Sequence, residues 1–144
     1  SGAQGPAQRT GCAAHARPGG GGARRTRYQS PAGDFDRRLV EPGPYALLRK
    51  EGIVLIYNSS NAANYNEARF PKFTYAAGQV LFDEQKPYKV LARTNEPFIW
   101  PNQPYEKVGE VNEVCFVEGL VPFIGKWFLY YGTADSKIAV SIKE

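Results

Sequence analysis

Gly52 and Gly125 lie 73 residues apart, and each sits at a sharp turn between runs of strand-forming residues. The run after Gly52 is IVLIYN and the run after Gly125 is KWFLYYG, so that Tyr57 and Tyr130 close their strands at the same 73-residue interval. A hairpin glycine followed by a short apolar run commits the chain to antiparallel strands of modest length. Between the two copies there is room for a four-stranded unit made of Ala46 to Leu48, Ile53 to Tyr57, Gln79 to Phe82 and Lys89 to Ala92. Such units joined by a long crossover read as the blades of a β-propeller, because each blade buries its faces only against its neighbours. A β-sandwich whose hairpins resemble one another by chance is the alternative.

The charge is unevenly placed. Of 18 basic residues, five arginines (Arg9, Arg17, Arg24, Arg25, Arg27) fall within the first 30 positions, where there is no acid, leaving 13 basic against 14 acidic residues beyond. The excess of positive charge therefore belongs to the first stretch. Residues 1–29 are rich in Gly, Ala, Arg and Pro and lack branched apolar side chains, so they cannot offset the entropy of ordering and are expected to be a disordered tail, either a linker or a stretch unrelated to the domain. A folded domain is expected from residue 30 to 144. Nucleic-acid binding through the arginine tail is a poor fit, since no basic cluster marks the globular part. No window approaches the ~20 apolar residues of a membrane helix, and no partner membrane is expected. Cys12 and Cys115 are the only cysteines, and Cys115 sits in an apolar strand as a small hydrophobe. His15 is the only histidine, no metal-ligand spacing is present, and no cofactor is implied. Neither redox compartment nor localisation is fixed.

Along the chain, Pro42 and Pro44 exclude a helix interior and a central strand, so Glu41 to Pro44 is expected to be a rigid loop entering a strand at about Tyr45. The unbroken apolar run from Ile53 implies cover on both faces of that strand. Asn58 to Lys72 is a polar loop whose Asn and Ser either satisfy local backbone groups or face a ligand. Strands follow at Tyr75 to Asp83 and Tyr88 to Thr94. The proline-rich stretch NEPFIWPNQPYEKVG is expected to be an extended connection before the last three strands.

Three segments then stand out together: GQVLFDEQKPYKVLARTNEPF, YEKVGEVNEVCFVEGLV and GKWFLYYGTADSKIAV. They resemble the C-terminal part of glycoside hydrolase family 130, the β-mannoside phosphorylases and hydrolases. The family pattern D-x-x-x-P-x-K-V-L-x-R, Y-E-x-x-G and Y-Y-G-x-A-D appears here in order, and LVEPGPYALLRKEGIVLIYN is similar to its Gly-Pro-Pro loop and following strand. The resemblance runs from about Asp34 to Glu144. It implies an all-β, five-bladed β-propeller of which this chain covers roughly the last two blades, a β-mannoside as partner, and missing upstream blades of the same propeller. It also implies that the aspartate acting as general acid lies upstream, so that this chain is expected to be inactive alone.

Both reactions of the family invert the anomeric carbon and need protonation of the leaving oxygen; phosphate as nucleophile calls for cations, water for a base. Where the family's phosphorylases carry a lysine and a histidine against phosphate, this sequence has Leu39 and Asn58. It also has Glu41 where they carry glycine, and Glu113 and Glu118 nearby. Hydrolysis is therefore the expected reaction, with Glu118 or Glu41 as candidate base; a β-mannoside phosphorylase fragment and a non-catalytic carbohydrate-binding propeller fragment are the alternatives. Asp135, at the end of Y-Y-G-x-A-D, is expected to accept hydrogen bonds from sugar hydroxyls. Tyr130 or Tyr131 offers a ring face, since alternation sends one inward and one outward. Asn58 and Glu113 complete the expected substrate-binding set.

Overall fold

The computed structural model describes residues 35–61 and 69–144. The arginine-rich stretch 1–29 and the middle of the polar loop, residues 62–68, lie outside the described residues. The strands among the described residues are β1 (Leu39–Pro42), β2 (Leu47–Arg49), β3 (Gly52–Ser60), β4 (Tyr75–Phe82), β5 (Val90–Arg93), β6 (Cys115–Phe123), β7 (Lys126–Thr133) and β8 (Lys137–Lys143), with a single helical turn, α1 (Pro104–Lys107), before β6.

These strands make two antiparallel sheets. In the first, β1, β3, β4 and β5 follow in order and β2 also pairs with β3; in the second the order is β6, β7, β8. The chain is thus all-β, as expected. β1 and β2 share one edge of β3, Leu39 opposite Ser60 and Arg49 opposite Gly52, so they form one edge strand interrupted at residues 43–46. Glu41 and Pro42 therefore belong to a strand and not to the expected loop. Proline is excluded from a central strand, whereas on an edge its missing N–H removes no ladder bond.

The interval of 73 residues corresponds to equivalent positions in the two sheets. Gly52 and Gly125 both have positive φ, +134° and +71°, which a side chain would resist, and each opens the second strand of its hairpin. β3 continues into a pairing with β4 as β7 does with β8. The expected extended connection is interrupted by α1. Its signals are Pro104 at the first helical position and Glu106 reaching back, where its Oε2 accepts the backbone N–H groups of Asn102 and Gln103, each at 2.7 Å.

Alternation along β3 decides what each face meets. Ile56 points at the second sheet and joins Ala77, Cys115, Val117, Leu120, Leu129 and Tyr131 in the main core. Tyr57 points the other way, onto Phe35 and Val80. Both faces of β3 are covered, in agreement with its unbroken apolar sequence. Cys115 is fully buried, and burial raises its thiol pKa well above the ordinary range, so it serves as a core hydrophobe. On the second core, the Tyr57 hydroxyl donates to Asp36 Oδ2 at 2.7 Å and Arg93 Nη1 donates to the same oxygen at 3.0 Å, tying the segment before β1 to β5.

The outer face of the second sheet is different. Val121, Tyr130, Ile138, Val140 and Ile142 remain exposed there.

Asn58, two residues beyond Ile56 on the same face, joins the sheets. Its Nδ2 donates to the Val117 carbonyl at 2.9 Å, and its Oδ1 accepts the Val117 N–H at 2.7 Å. The side chain thus imitates a backbone pair on β6, and both partners are buried. Truncating it leaves one buried donor and one buried acceptor without partners, a loss of about 3 kcal/mol out of the ~5–15 kcal/mol that holds a domain. Denaturant unfolding of Asn58→Ala is expected to show that loss; a change under about 0.5 kcal/mol would mean that the pair contributes nothing to the joint.

Candidate functional site

At one end of the two sheets, the start of β1, the start of β4, the start of β6 and the β7–β8 turn come together. They enclose a cavity of about 380 Å3 lined by Leu39, Glu41, Tyr75, Val111, Val114, Phe116 and Asp135. A second cavity of about 440 Å3 shares Phe116 and Asp135 with it and adds Glu118, Tyr130 and Gly132. A third, of about 760 Å3, shares Tyr75 and Val111 with the first and is lined by Arg38, Lys72, Phe73, Lys107, Asn112 and Glu113 among others. Shared walls make the three one open groove.

Asp135 occupies the junction of the first two cavities, and its aim is set by the backbone. Ala134 and Asp135 are both left-handed, φ 46° and 51°, and Ser136 N donates to Thr133 O at 2.9 Å. Ala134 and Asp135 are the two central residues of a tight turn, in left-handed conformations that Asn and Gly adopt more readily, within a three-residue connection, since Thr133 pairs with Lys137. The strain is held by the loop after α1. Ala134 N donates to Val114 O at 3.0 Å, and Ala134 O accepts Val111 N at 3.2 Å and Ser136 Oγ at 2.9 Å. Gly109 crosses directly over this turn, where a Cβ would come within 2.4 Å of Ala134 O. The glycine of Y-E-x-x-G and the aspartate of Y-Y-G-x-A-D are thus one device: the first lets the loop close on the second.

The two tyrosines divide as alternation requires. Tyr131 is 7% exposed and donates its hydroxyl to Glu106 Oε1 at 2.7 Å, so its polar end is committed to the α1 junction. Its pKa is pushed far up, first by burial and then by the Glu106 hydrogen bond, so it stays a neutral donor. Tyr130 is 43% exposed and lines the groove beside Glu118 and Asp135. Glu118 stands where the β6–β7 register slips, Val117 opposite Tyr131 and Gly119 opposite Tyr130. The extra residue of this bulge is Glu118 itself, an irregularity that redirects a side chain. Glu41, on β1, reaches the first cavity from the opposite wall.

Glu113 has φ 59° and lines the third cavity; burial raises its pKa, with Lys107 acting weakly against that. Of the expected site residues, then, Asp135, Tyr130, Glu41, Glu118 and Glu113 share the groove. Asn58 is sealed inside the inter-sheet joint, and Tyr131 touches the groove only with a buried ring. No local sequence signal marks Tyr75, Val111 and Phe116, whose place depends on how the sheets meet; Gly109 is the glycine of Y-E-x-x-G, where its closeness to the β7–β8 turn is not apparent from the sequence.

Asp135→Asn is expected to leave the melting temperature unchanged, since its carboxylate lines the groove and not the core. Tyr131→Phe is expected to do the reverse, costing about 1–2 kcal/mol of stability through the stranded Glu106 oxygen. Thermal unfolding separates the two; equal behaviour of the variants would contradict the division.

Compared with known proteins, residues 26–144 match the family profile of glycoside hydrolase 130, described as beta-1,4-mannooligosaccharide phosphorylase. The beta-1,2-mannobiose phosphorylase of Thermoanaerobacter sp. (strain X514) is 34% identical over 108 residues, 75% of this chain and 32% of that protein. The crystal structure of a glycosyl hydrolase from Bacteroides ovatus superposes with a TM-score of 0.74 at 44% identity, over 78% of this chain and 31% of that one. Another, with a TM-score of 0.73 at 45% identity over 76% of this chain and 31% of that one, comes from work stating that the family of mannoside phosphorylases contains glycoside hydrolases that target β-1,2 mannosidic linkages in Candida mannan. The chain spans about a third of the length of the relatives it matches.

These findings overturn hydrolysis as the expected reaction, because the family description and the curated relatives alike name phosphorylases. The structure supplies the physical reason that the sequence argument failed. Position 58 is a structural joint, so the absence of a histidine there says nothing about the nucleophile, and Glu113 lines a cavity together with Arg38, Lys72 and Lys107. The chain belongs to glycoside hydrolase family 130.

Proposed function

We propose that this chain forms one side of the sugar site in a family-length protein that cleaves β-mannosides by phosphorolysis. The observation that carries the reading is the match of residues 26–144 to a family described by its phosphorylase activity. The groove supports it by setting carboxylates at one end and cations at the other. On this reading the two meanders are neighbouring blades of a five-bladed propeller, with the groove at the mouth of its central channel.

Asp135 accepts hydrogen bonds from sugar hydroxyls, which a carboxylate does without changing protonation. Glu41 and Glu118 face the same volume and act likewise as hydroxyl acceptors, while Tyr130 offers its ring to a C–H face of the sugar. A phosphate oxygen attacks the anomeric carbon from the side opposite the glycosidic bond. That bond breaks as its oxygen takes a proton from a carboxylic acid, which this reading places in the part of the family-length protein outside this chain. The products are an α-mannosyl phosphate and the shortened mannoside.

A family-length protein carrying this sequence, given β-1,2-mannobiose, is expected to form mannose 1-phosphate only when phosphate is present. Cleavage at an equal rate without phosphate would contradict the phosphorolysis reading, and sugar binding without any cleavage would contradict catalysis altogether.

A further inference from the structure

A further cavity, of about 320 Å3, lies apart from the groove, where the connection between the two sheets passes the β8 edge of the second sheet. Trp100, Asn102, Gln103, Tyr105 and Ser141 are in its lining. Of its described lining residues it shares Tyr131 with the second cavity of the groove and none with the other two. Trp100, Asn102, Gln103 and Tyr105 line no part of the groove and stand outside the main core.

The walls are fixed from behind. Phe98 N donates to Ala77 O and Ala77 N donates to Ile99 O, both at 2.9 Å, so the connection is laced to β4 just before Trp100. The Trp100 ring meets Phe70 edge to face, with 6.1 Å between centroids and 79° between planes, which sets its orientation. Glu106 secures the other side: its Oε2 accepts the backbone N–H groups of Asn102 and Gln103, and its Oε1 accepts the Tyr131 hydroxyl, each at 2.7 Å. On β8, Ala139 lies opposite Tyr131 on the face that packs against the main core, and alternation puts Ser141 on that same face.

The chemistry of this lining is neutral. Among the described residues no lysine or arginine lines it, and its acid, Glu106, is 3% exposed with both oxygens accepting hydrogen bonds. The backbone donors of Asn102 and Gln103 are spent on that carboxylate, so they hold no anion. What remains toward solvent is the exposed carboxamides of Asn102 and Gln103 and the rings of Trp100 and Tyr105, both partly exposed. A carboxamide presents a donor and an acceptor side by side, a match for neighbouring hydroxyls. An aromatic ring offers an apolar face with a polar rim, Nε1–H on tryptophan and the hydroxyl on tyrosine. A pyranose has the complementary surface, hydroxyls around its edge and C–H groups on its faces. The volume stands at the small end of ligand cavities, about 300–1,000 Å3, and so suits one ring.

We propose that this cavity is a second carbohydrate site, which takes one neutral hexopyranosyl unit apart from the groove. It goes beyond the phosphorolysis reading and does not rest on it, since it needs no cleavage. Tyr131 and Glu106 stand between the two sites, and their polar groups are committed to each other. Because both rings are partly exposed and no charge takes part, binding is weak and insensitive to salt.

The test is a titration of the full chain with β-1,2-mannobiose and, separately, with cellobiose, followed through the indole N–H signals. The chain has two tryptophans, and Trp127, under the Arg49 guanidinium at the other end of the sheets, is the internal control. A saturable shift of the Trp100 signal with at least one disaccharide is expected, with Trp127 unmoved. A shift with β-1,2-mannobiose alone makes the site one for mannosyl units, and a shift with both makes it one for β-linked hexosides; each supports it. The affinity is expected to fall roughly tenfold in Tyr105→Ala and about fivefold in Asn102→Ala, both exposed positions whose loss leaves the fold intact, and to be unchanged in Asp135→Asn. No saturable shift of Trp100 with either sugar overturns the site. So does a shift that survives unchanged in both Tyr105→Ala and Asn102→Ala, or one lost in Asp135→Asn, which would mean that the sugar is held in the groove. No turnover enters the measurement, so its failure leaves phosphorolysis to be judged by phosphate dependence in the family-length protein.

Discussion

The two sheets of this chain meet through a side chain that behaves as backbone. β6 is an edge strand, and an edge buried against another sheet needs partners for its N–H and C=O groups. Asn58 supplies both at Val117, with a donor at 2.9 Å and an acceptor at 2.7 Å. An amide is the side chain that carries donor and acceptor side by side, which is why the residue beyond the apolar run of β3 is polar and yet buried. Beside it the contacts in the main core are apolar, Ile56 and Ala77 with Val117, Leu129 and Tyr131, and a parallel backbone bridge joins Tyr75 to Val114. Asn58 and that bridge together fix how far β6 slides along the first sheet, and with it the position of the elements at that end.

The functional end follows from this registration. Tyr75 N donates to Glu113 O at 2.9 Å, and Val114 lies opposite Tyr75 in a parallel bridge, so the approach to β6 is stitched to the start of β4. The same approach clamps Ala134, which aims Asp135. Glu106, buried, holds the helical turn and Tyr131 together behind that clamp. The groove is thus a consequence of two sheets held in one register and a loop that Gly109 lets close. Its charges are segregated, acids around Asp135 and cations around Arg38 and Lys107, which suits the proposed reading of a hydroxyl-rich ligand attacked by an anion.

Much of this was legible in the sequence. The strands were, because hairpin glycines and apolar runs of five or six residues leave few other options, and so was the position of Asp135 at a sheet end, because a short acid follows a strand-ending glycine. β1 was hidden by two prolines, whose exclusion from strands holds for the centre of a sheet and fails at its edge. α1 was hidden because a single turn has no period; its signals were Pro104 and the reach of Glu106. The role of Asn58 could not be read locally, since the same Asn-Ser sequence serves a solvated loop, a ligand or a buried joint, and only the partner 59 residues away tells them apart. Hydrolysis does not follow from these positions for that reason: Asn58 is a joint between sheets, and Glu113 lines a cavity with Arg38, Lys72 and Lys107. The bulge that turns Glu118 into the groove leaves no mark in the alternation that precedes it.

The proposed place for a β-mannoside is the end of the two sheets around Asp135. It is tested most directly by mapping backbone amide shifts in a family-length protein carrying this sequence, titrated with β-1,2-mannobiose. Shifts concentrated at Tyr75, Val114, Phe116, Gly132 and Asp135 are predicted. Shifts confined to the opposite end, around the turns at Gly52 and Gly125, would contradict the account.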